Sequence, residues 1–374
     1  MNAPVSIDSD YRTAAPTPAD LTITVRDERF NRGTNPRRWW AGEPFGTAWH
    51  NALSATFPRG EAFFIEAVKA HREGAPPKLD AEIRAFVKQE INHTREHIAF
   101  NRLAEDAGYD IKAIDARVAE LLALTKGRPA IANLAVTMAL EHYTAMMAAE
   151  FLANPAHFKD ADPEVRDMWR WHSAEEIEHK GVAFDTWNHA TRDWKPSKRW
   201  QVRSLVMLTV TARFFKNRWT DSLALLEQDG ITGWKAKWGL FKYLTGTPGI
   251  VRRIFPAWLA YFKPGFHPWD HDARRIGAGT NRDGPEQAGP AIARGAFSLS
   301  RRDRRDLLAF VEAQAIERAG HVLAASLAEP RHRPPRGHEA ELAQHTPRCR
   351  IVEEVPGGDL AMAEQPGDLE HAAR

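Results

Sequence analysis

The sequence predicts an all-α protein, a four-helix bundle with additional C-terminal helices. Between about residues 51 and 189 the apolar residues recur at helical rather than alternating spacing. Helix-start and helix-stop residues divide this stretch into four long segments with short links. The third segment, AIANLAVTMALEHYTAMMAAEFL, is apolar on nearly every side, as expected of a helix in the interior of a bundle.

Residues 1–20 are rich in Pro, Ala and Asp and read as a disordered lead-in. LTITVRD (Leu21–Asp27) alternates apolar and polar residues and predicts one short strand, followed by a loop containing NRGTNPRR. The first helix is expected over Pro58–Arg72, ending before GAPP. The second is expected over Asp80–Ala107, with Asp80 as N-cap and Gly108 as the stop. A shorter helix is expected within Tyr109–Arg128. The third runs Pro129–Leu152, with Pro129 in its first turn, and the fourth Pro163–Thr191. Four regions result: a lead-in at 1–50, the bundle at 51–194, a basic Trp-rich helical extension at 195–275, and a tail at 276–374. The tail is rich in Gly, Pro, Ala and Arg and reads as mostly disordered, with one candidate helix at Arg304–Leu327.

Composition narrows the class. The chain has 374 residues, a net charge of +2, 43% hydrophobic and 27% charged residues, which suit a globular protein and carry no general nucleic-acid signal. The single cysteine, Cys349, excludes a disulfide framework and any cysteine-rich metal site, and fits a reducing compartment. The N-terminus carries no signal-peptide pattern, and no run of about 18 apolar residues predicts a membrane span. A cytoplasmic protein is therefore expected.

WHSAEEIEHK, Trp171 to Lys180, packs two histidines and three glutamates into eight residues. Each helical residue advances about 100°, so with His172 at zero, Glu176 lies at about +40° and His179 at about −20°. These three share one stripe. Glu175 is marginal at about −60°, and Glu178 at about −120° points away, as a solvent-side residue or an ion-pair partner. The second helix repeats the spacing in FVKQEINHTREHIAF. Glu90 and His93 again form Glu-x-x-His, His97 lies one turn further on the same stripe, and Glu96 turns away. The third helix places Glu141 and His142 amid apolar residues, and a carboxylate buried there needs a partner or a cation. In the first helix Glu61 is the favoured carboxylate, with Glu66 the competitor. One Glu from each of two helices plus Glu-x-x-His from each of the other two is a dinuclear carboxylate ligand set. Four glutamates balance two dications, and hard O/N donors without thiolate select iron or manganese.

With these residues the chain resembles the predicted metal-dependent hydrolase family of the ferritin-like superfamily. NALSATFPRGEAFFIEAV, FVKQEINHTREHIAFN, MALEHYTA, WHSAEEIEHKGVAFD and FKPGFHPWD carry the resemblance, over about residues 21–272. The His172-x3-Glu176-x2-His179 spacing is similar to the last ligand helix of p-aminobenzoate N-oxygenases, which add a third histidine. That similarity implies seven ligands: Glu61, Glu90, His93, Glu141, His172, Glu176 and His179. His97 and Glu175 are left as neighbours of the ligands or, for His97, as a further ligand. Two cofactor ions are implied, iron first and manganese second. Two reaction classes fit, oxygen activation on a small or hydrophobic substrate with an external electron donor, and hydrolysis by a metal-bound water. A bundle that binds metal without catalysis is the third reading.

Residues 195–275 hold 15 lysines and arginines against 5 acidic residues, interleaved with tryptophans. Ordinary helices packed on the bundle are favoured here, with Arg and Lys reaching solvent. Contact with an anionic membrane surface is the competing expectation, and nucleic-acid binding is not expected. FKPGFHPWDHD closes the region. Its turn residues favour packing or capping for His267, Asp270, His271 and Asp272 over a second metal site.

Overall fold

The computed structural model describes residues 17–30, 37–40 and 43–270. Among them it is helical, with no strand and a single isolated bridge pairing Trp40 with Ala161. The helices are α1 (Pro44–Ser54), α2 (Phe57–Lys69), α3 (Pro77–Asp106), α4 (Ile111–Ala123), α5 (Ala130–Ala153), α6 (Pro163–His179), α7 (Val182–Ala190), α8 (Pro196–Gln228), α9 (Gly233–Thr245) and α10 (Ile250–Ala260). The lead-in before residue 17, the candidate helix Arg304–Leu327 and the rest of the tail lie outside the described residues.

The four long helices expected from periodicity map onto α2, α3, α5 and α6. They contact one another in a closed ring, α2 on α3, α3 on α6, α6 on α5 and α5 on α2. α4 supplies the expected short helix in the second link, capped by the Asp110 carboxylate on Ala113 N. Gly108, at φ +91°, stops α3 in a conformation that a side chain would strain.

Several boundaries differ from the sequence reading. No helix is expected from sequence over α1, which spans the end of the lead-in and the residues before Pro58. Instead Pro44 opens it and the Glu43 carboxylate accepts from Phe45 N and Gly46 N. α3 begins three residues before Asp80, at Pro77. Asp80 therefore sits in the first turn, where it holds Arg72 and Arg84. The fourth expected helix is broken at Lys180–Gly181. A Cβ at Gly181 would lie 2.7 Å from Trp269 Nε1, and Lys180 Nζ sits 4.2 Å above that indole. The break thus seats Trp269 against the chain, a contact between residues far apart in sequence.

The expected strand at Leu21–Asp27 does not form. Its alternation is nevertheless used, because it lies along α3 and α6 and pairs with their side chains in place of a neighbouring strand. Thr24 N donates to Glu178 Oε2, Arg26 N to Glu175 Oε1 and Phe30 N to Glu96 Oε2. Gln89 Nε2 donates to Thr24 O, Asn92 Nδ2 to Arg26 O and Arg95 to Glu28 O. Backbone groups of alternate residues are satisfied as a sheet would satisfy them, but by side chains at helical spacing.

α8 packs on α1 and α5, and α10 packs on α5. Its apolar centre is buried, with Val202, Leu205, Val206 and Met207 in the core. Arg203 and Arg218, expected to reach solvent, are each only 4% exposed and hydrogen-bond to backbone carbonyls. No helix among the described residues is long and apolar enough to cross a membrane.

Candidate metal centre

The four helices of the ring bring all seven expected ligands to one buried cluster. α2 contributes Glu61, α3 Glu90 and His93, α5 Glu141, and α6 His172, Glu176 and His179, none more than 4% exposed. Glu66, the competitor of Glu61, has a side chain 75% exposed and pairs with Lys69. One turn of α2 therefore separates the interior carboxylate from a surface one.

The donor atoms form two compact triads, Glu61–Glu90–His93 and Glu90–Glu141–His179, in each of which the ligand atoms lie within 4.8 Å of one another. Glu90 belongs to both. A third group, His93–His172–Glu176, adjoins the first, and Glu176 also reaches the second, with Oε2 3.4 Å from His179 Nε2. Glu90 and Glu176 are thus the two carboxylates that link neighbouring groups.

Hydrogen bonding separates the atoms facing the cluster from those facing away. Glu90 and Glu141 have both carboxylate oxygens buried without a hydrogen bond. So do Glu61 Oε1, Glu176 Oε2, His93 Nδ1 and His179 Nε2. Buried polar atoms are rarely left unsatisfied, and here eight converge on one volume. The opposite edges of Glu61, His179 and His93 are tied down. Thr94 Oγ1 donates to Glu61 Oε2. Gln89, whose amide nitrogen is spent on Thr24 O and Glu178, turns its Oε1 to His179 Nδ1 at 2.9 Å. His179 is therefore protonated on Nδ1 and offers the Nε2 lone pair inward. His93 Nε2 lies 3.0 Å from Glu175 Oε2, and with the shared proton on the imidazole its Nδ1 lone pair faces Glu176.

His172 is set by a longer chain. Asn101 Nδ2 donates to Ser54 O, which fixes that amide and leaves Oδ1 to accept from Ser54 Oγ. Ser54 Oγ then accepts from His97 Nδ1 at 2.8 Å. His97 Nε2 in turn accepts from His172 Nδ1 at 2.6 Å. The lone pair of His172 consequently sits on Nε2, 2.9 Å from Glu176 Oε1 and 3.8 Å from Glu61 Oε1. A lone pair aimed at two carboxylates calls for a cation or a proton between them. His97 also falls within reach of Glu61 and His172 as a metal-holding group, but both its ring nitrogens are already engaged. The geometry therefore makes it a positioning residue for His172.

Electrostatics agree with a cation-binding cluster. Burial, and then mutual repulsion, holds Glu61, Glu90 and Glu141 well above the usual carboxylate range. Burial also pushes Glu176 up, but the imidazoles of His179 and His172 outweigh it and leave that carboxyl well below its ordinary value. His93 is held well below 6.5 by burial and by His172. Four buried carboxylates with no lysine or arginine among them fit divalent cations, which would replace the protons.

Sequence reasoning missed three contributors. Gln89, Ser54 and Asn101 carry no spacing signal, since each acts through a ligand on another helix. Glu175 was marginal by angle, yet it is fully buried and joins the ring of His93 to the backbone of Arg26. Burial pushes its carboxyl up to about 8, against the pull of Arg26. Glu178, turned away as expected, is the ion-pair partner of Arg26 at 2.6 Å. At the far end His267 bonds Asp185 Oδ1 through Nε2, and its backbone N donates to Asp270, the packing and capping roles expected. His271 and Asp272 lie outside the described residues.

A small, mostly apolar pocket reaches the cluster at His172 and Glu176, walled by Leu53, Phe57, Met147, Phe151 and Trp169. Its remaining polar side chains are hydroxyls bonded to their own helices, Thr144 to Glu141 O and Ser173 to Trp169 O.

No curated protein and no solved structure matches the chain. A family model described as predicted metal-dependent hydrolase does match, over residues 24–272, which takes in the N-terminal segment, every residue of the cluster and the Trp269 turn. The chain belongs to that predicted metal-dependent hydrolase family.

Proposed function

We propose that the cluster is a dinuclear carboxylate centre of ferritin-like type, and that the protein uses it to activate oxygen against a small apolar substrate. The observation that carries the reading is the convergence of eight hydrogen-bond-orphaned donor atoms in two triads sharing Glu90. Glu61, Glu90 and His93 would hold one ion and Glu90, Glu141 and His179 the other. Glu176 and His172 would complete the set beside the pocket. Four glutamate charges against two dications leave the buried site near neutral, and hard donors favour iron, with manganese second.

Iron held by these residues would supply redox chemistry toward oxygen, given an external electron donor. The chain's own groups orient and exclude. Phe57, Met147, Phe151 and Trp169 wall the His172–Glu176 edge with apolar surface and would keep bulk water from it. The Asn101–Ser54–His97 chain holds a proton on His172 Nδ1 and keeps Nε2 facing inward. A hydrolytic reading, favoured by the family's description, needs groups to take and deliver protons at the reacting bond. The pocket's hydroxyls are spent on backbone carbonyls, which leaves Glu176 and His172 as its groups for that task. A cytoplasmic location belongs to the same reading, given the lone cysteine.

Anaerobic loading with ferrous iron followed by oxygen tests it. Oxygen uptake with a new absorption band, at two ions per chain, is the expected result. Stoichiometric metal without oxygen uptake, together with ester or amide cleavage, would replace oxidation by hydrolysis. Unchanged metal content in Glu141→Ala would refute the ligand set.

A further inference from the structure

We infer that the outer face of α9, continued by α10, is a docking surface for an anionic lipid bilayer. Helices of a globular protein turn their apolar stripe inward, and α9 does this with Ala236, Leu240, Tyr243 and Leu244. It then carries a second apolar stripe on the opposite side. Trp234, Trp238 and Phe241, at i, i+4 and i+7, are 74%, 50% and 47% exposed. Their rings stack in series, with centroids 5.8 and 5.6 Å apart. On α10, Phe255 is 52% exposed and stacks on Trp258 at 5.7 Å. Among the described residues every exposed large aromatic side chain lies on these two helices.

Charge identifies the occupant. Residues 230–269 contain no aspartate or glutamate but six cations, Lys235, Lys237, Lys242, Arg252, Arg253 and Lys263, all exposed. Arg253 also reaches Glu150 on α5, 3.4 Å away. Tryptophan among lysines, with no carboxylate to repel phosphate, is the chemistry of the headgroup boundary. There the indoles enter the interface while the cations meet anionic lipid. A protein partner would be expected to meet aromatic anchors with few lysines, since lysine is depleted at such interfaces. The helices are too short and too charged to span the bilayer, so the contact is peripheral.

Sedimentation of the full chain with vesicles of phosphatidylcholine alone, or with phosphatidylglycerol added, tests this. Binding to the anionic vesicles, a blue shift of tryptophan emission, and release at about 0.5 M salt are expected. The K235E/K237E/K242E variant should bind at least about 100-fold more weakly, at roughly fivefold per charge, with unchanged far-UV circular dichroism. W234A/W238A should lose the emission shift. Failure of the wild-type chain to sediment with anionic vesicles at low salt would overturn the inference. So would a concentration-dependent dimer that W234A/W238A abolishes without any vesicle binding, which would make the face a protein interface.

Discussion

Two regions bury charge in opposite ways. Along α8, Arg218 and Asp221 are nearly inaccessible, and each is answered. Arg218 pairs with Asp221 at 2.6 Å and donates to Ala52 O, while Asp221 also takes Arg117 at 2.8 Å. In the ring of α2, α3, α5 and α6, four carboxylates are as deeply buried, and most of their inward oxygens have no hydrogen-bond partner. The same chain thus completes its buried ion pairs where they support the fold and leaves them incomplete where a cation can enter. Burying a charge is costly unless it is paired, so the difference is what a cation-binding cluster would require.

The largest effect should come from Glu90→Ala, because Glu90 belongs to both triads. Metal affinity should fall by more than about 100-fold, beyond the loss usual for residues that merely position ligands. The metal-stripped variant should melt no lower than the metal-stripped parent, since a strained carboxylate has been removed. Metal analysis paired with thermal denaturation reads both, and a large drop in melting temperature would make Glu90 structural. Asp221→Ala should do the reverse. It strands Arg218 and should destabilise the fold by about 3–5 kcal/mol, measured by denaturant unfolding, with unchanged metal per folded chain.

Ser54→Ala sharpens the comparison further. It leaves His97 Nδ1 without its acceptor and frees the His172 tautomer, so metal affinity should fall about 10- to 100-fold while the fold persists. A parental binding isotherm would remove the Asn101–Ser54–His97 chain from the site.

The smallest expected effect is on pH. Glu61, Glu90 and Glu141 titrate above 4.5 in the folded, metal-free chain. Above pH 4.5 that chain holds protons which the unfolded chain has released, so its stability should fall as pH rises through the shifted values. Cations displace those protons, so metal affinity should rise over the same range and binding should release protons. Titration calorimetry in two buffers of different ionisation enthalpy measures the release. Equal heats in both would contradict the raised carboxyls.

Legibility followed the range of the interactions. Glu90, His93, Glu176 and His179 stand out because a ligand pair on one helix must keep helical spacing, which sequence displays directly. Glu61 was separable from Glu66 only by its apolar neighbours, and the burial of one against the exposure of the other agrees with that preference. The off-stripe glutamates were harder. Glu96 and Glu178 point away from the ligand stripes, as their angles require, while Glu175 sits at the margin and reaches His93. No spacing shows that a strand-patterned segment some 70 to 150 residues earlier will run past them and take up their oxygens.

Sequence alone showed that the chain is helical, where the four helices of the ring lie, and which faces carry ionisable groups, because helix periodicity is a local property. Only the tertiary structure decided which imidazole nitrogen faces inward and that Leu21–Asp27 pairs with helix side chains rather than with a strand. It alone decided that the long fourth segment breaks at Gly181. Those outcomes depend on groups distant in sequence, Gln89 against His179, Ser54 against His97 and Trp269 against Gly181, and such contacts leave no periodic trace.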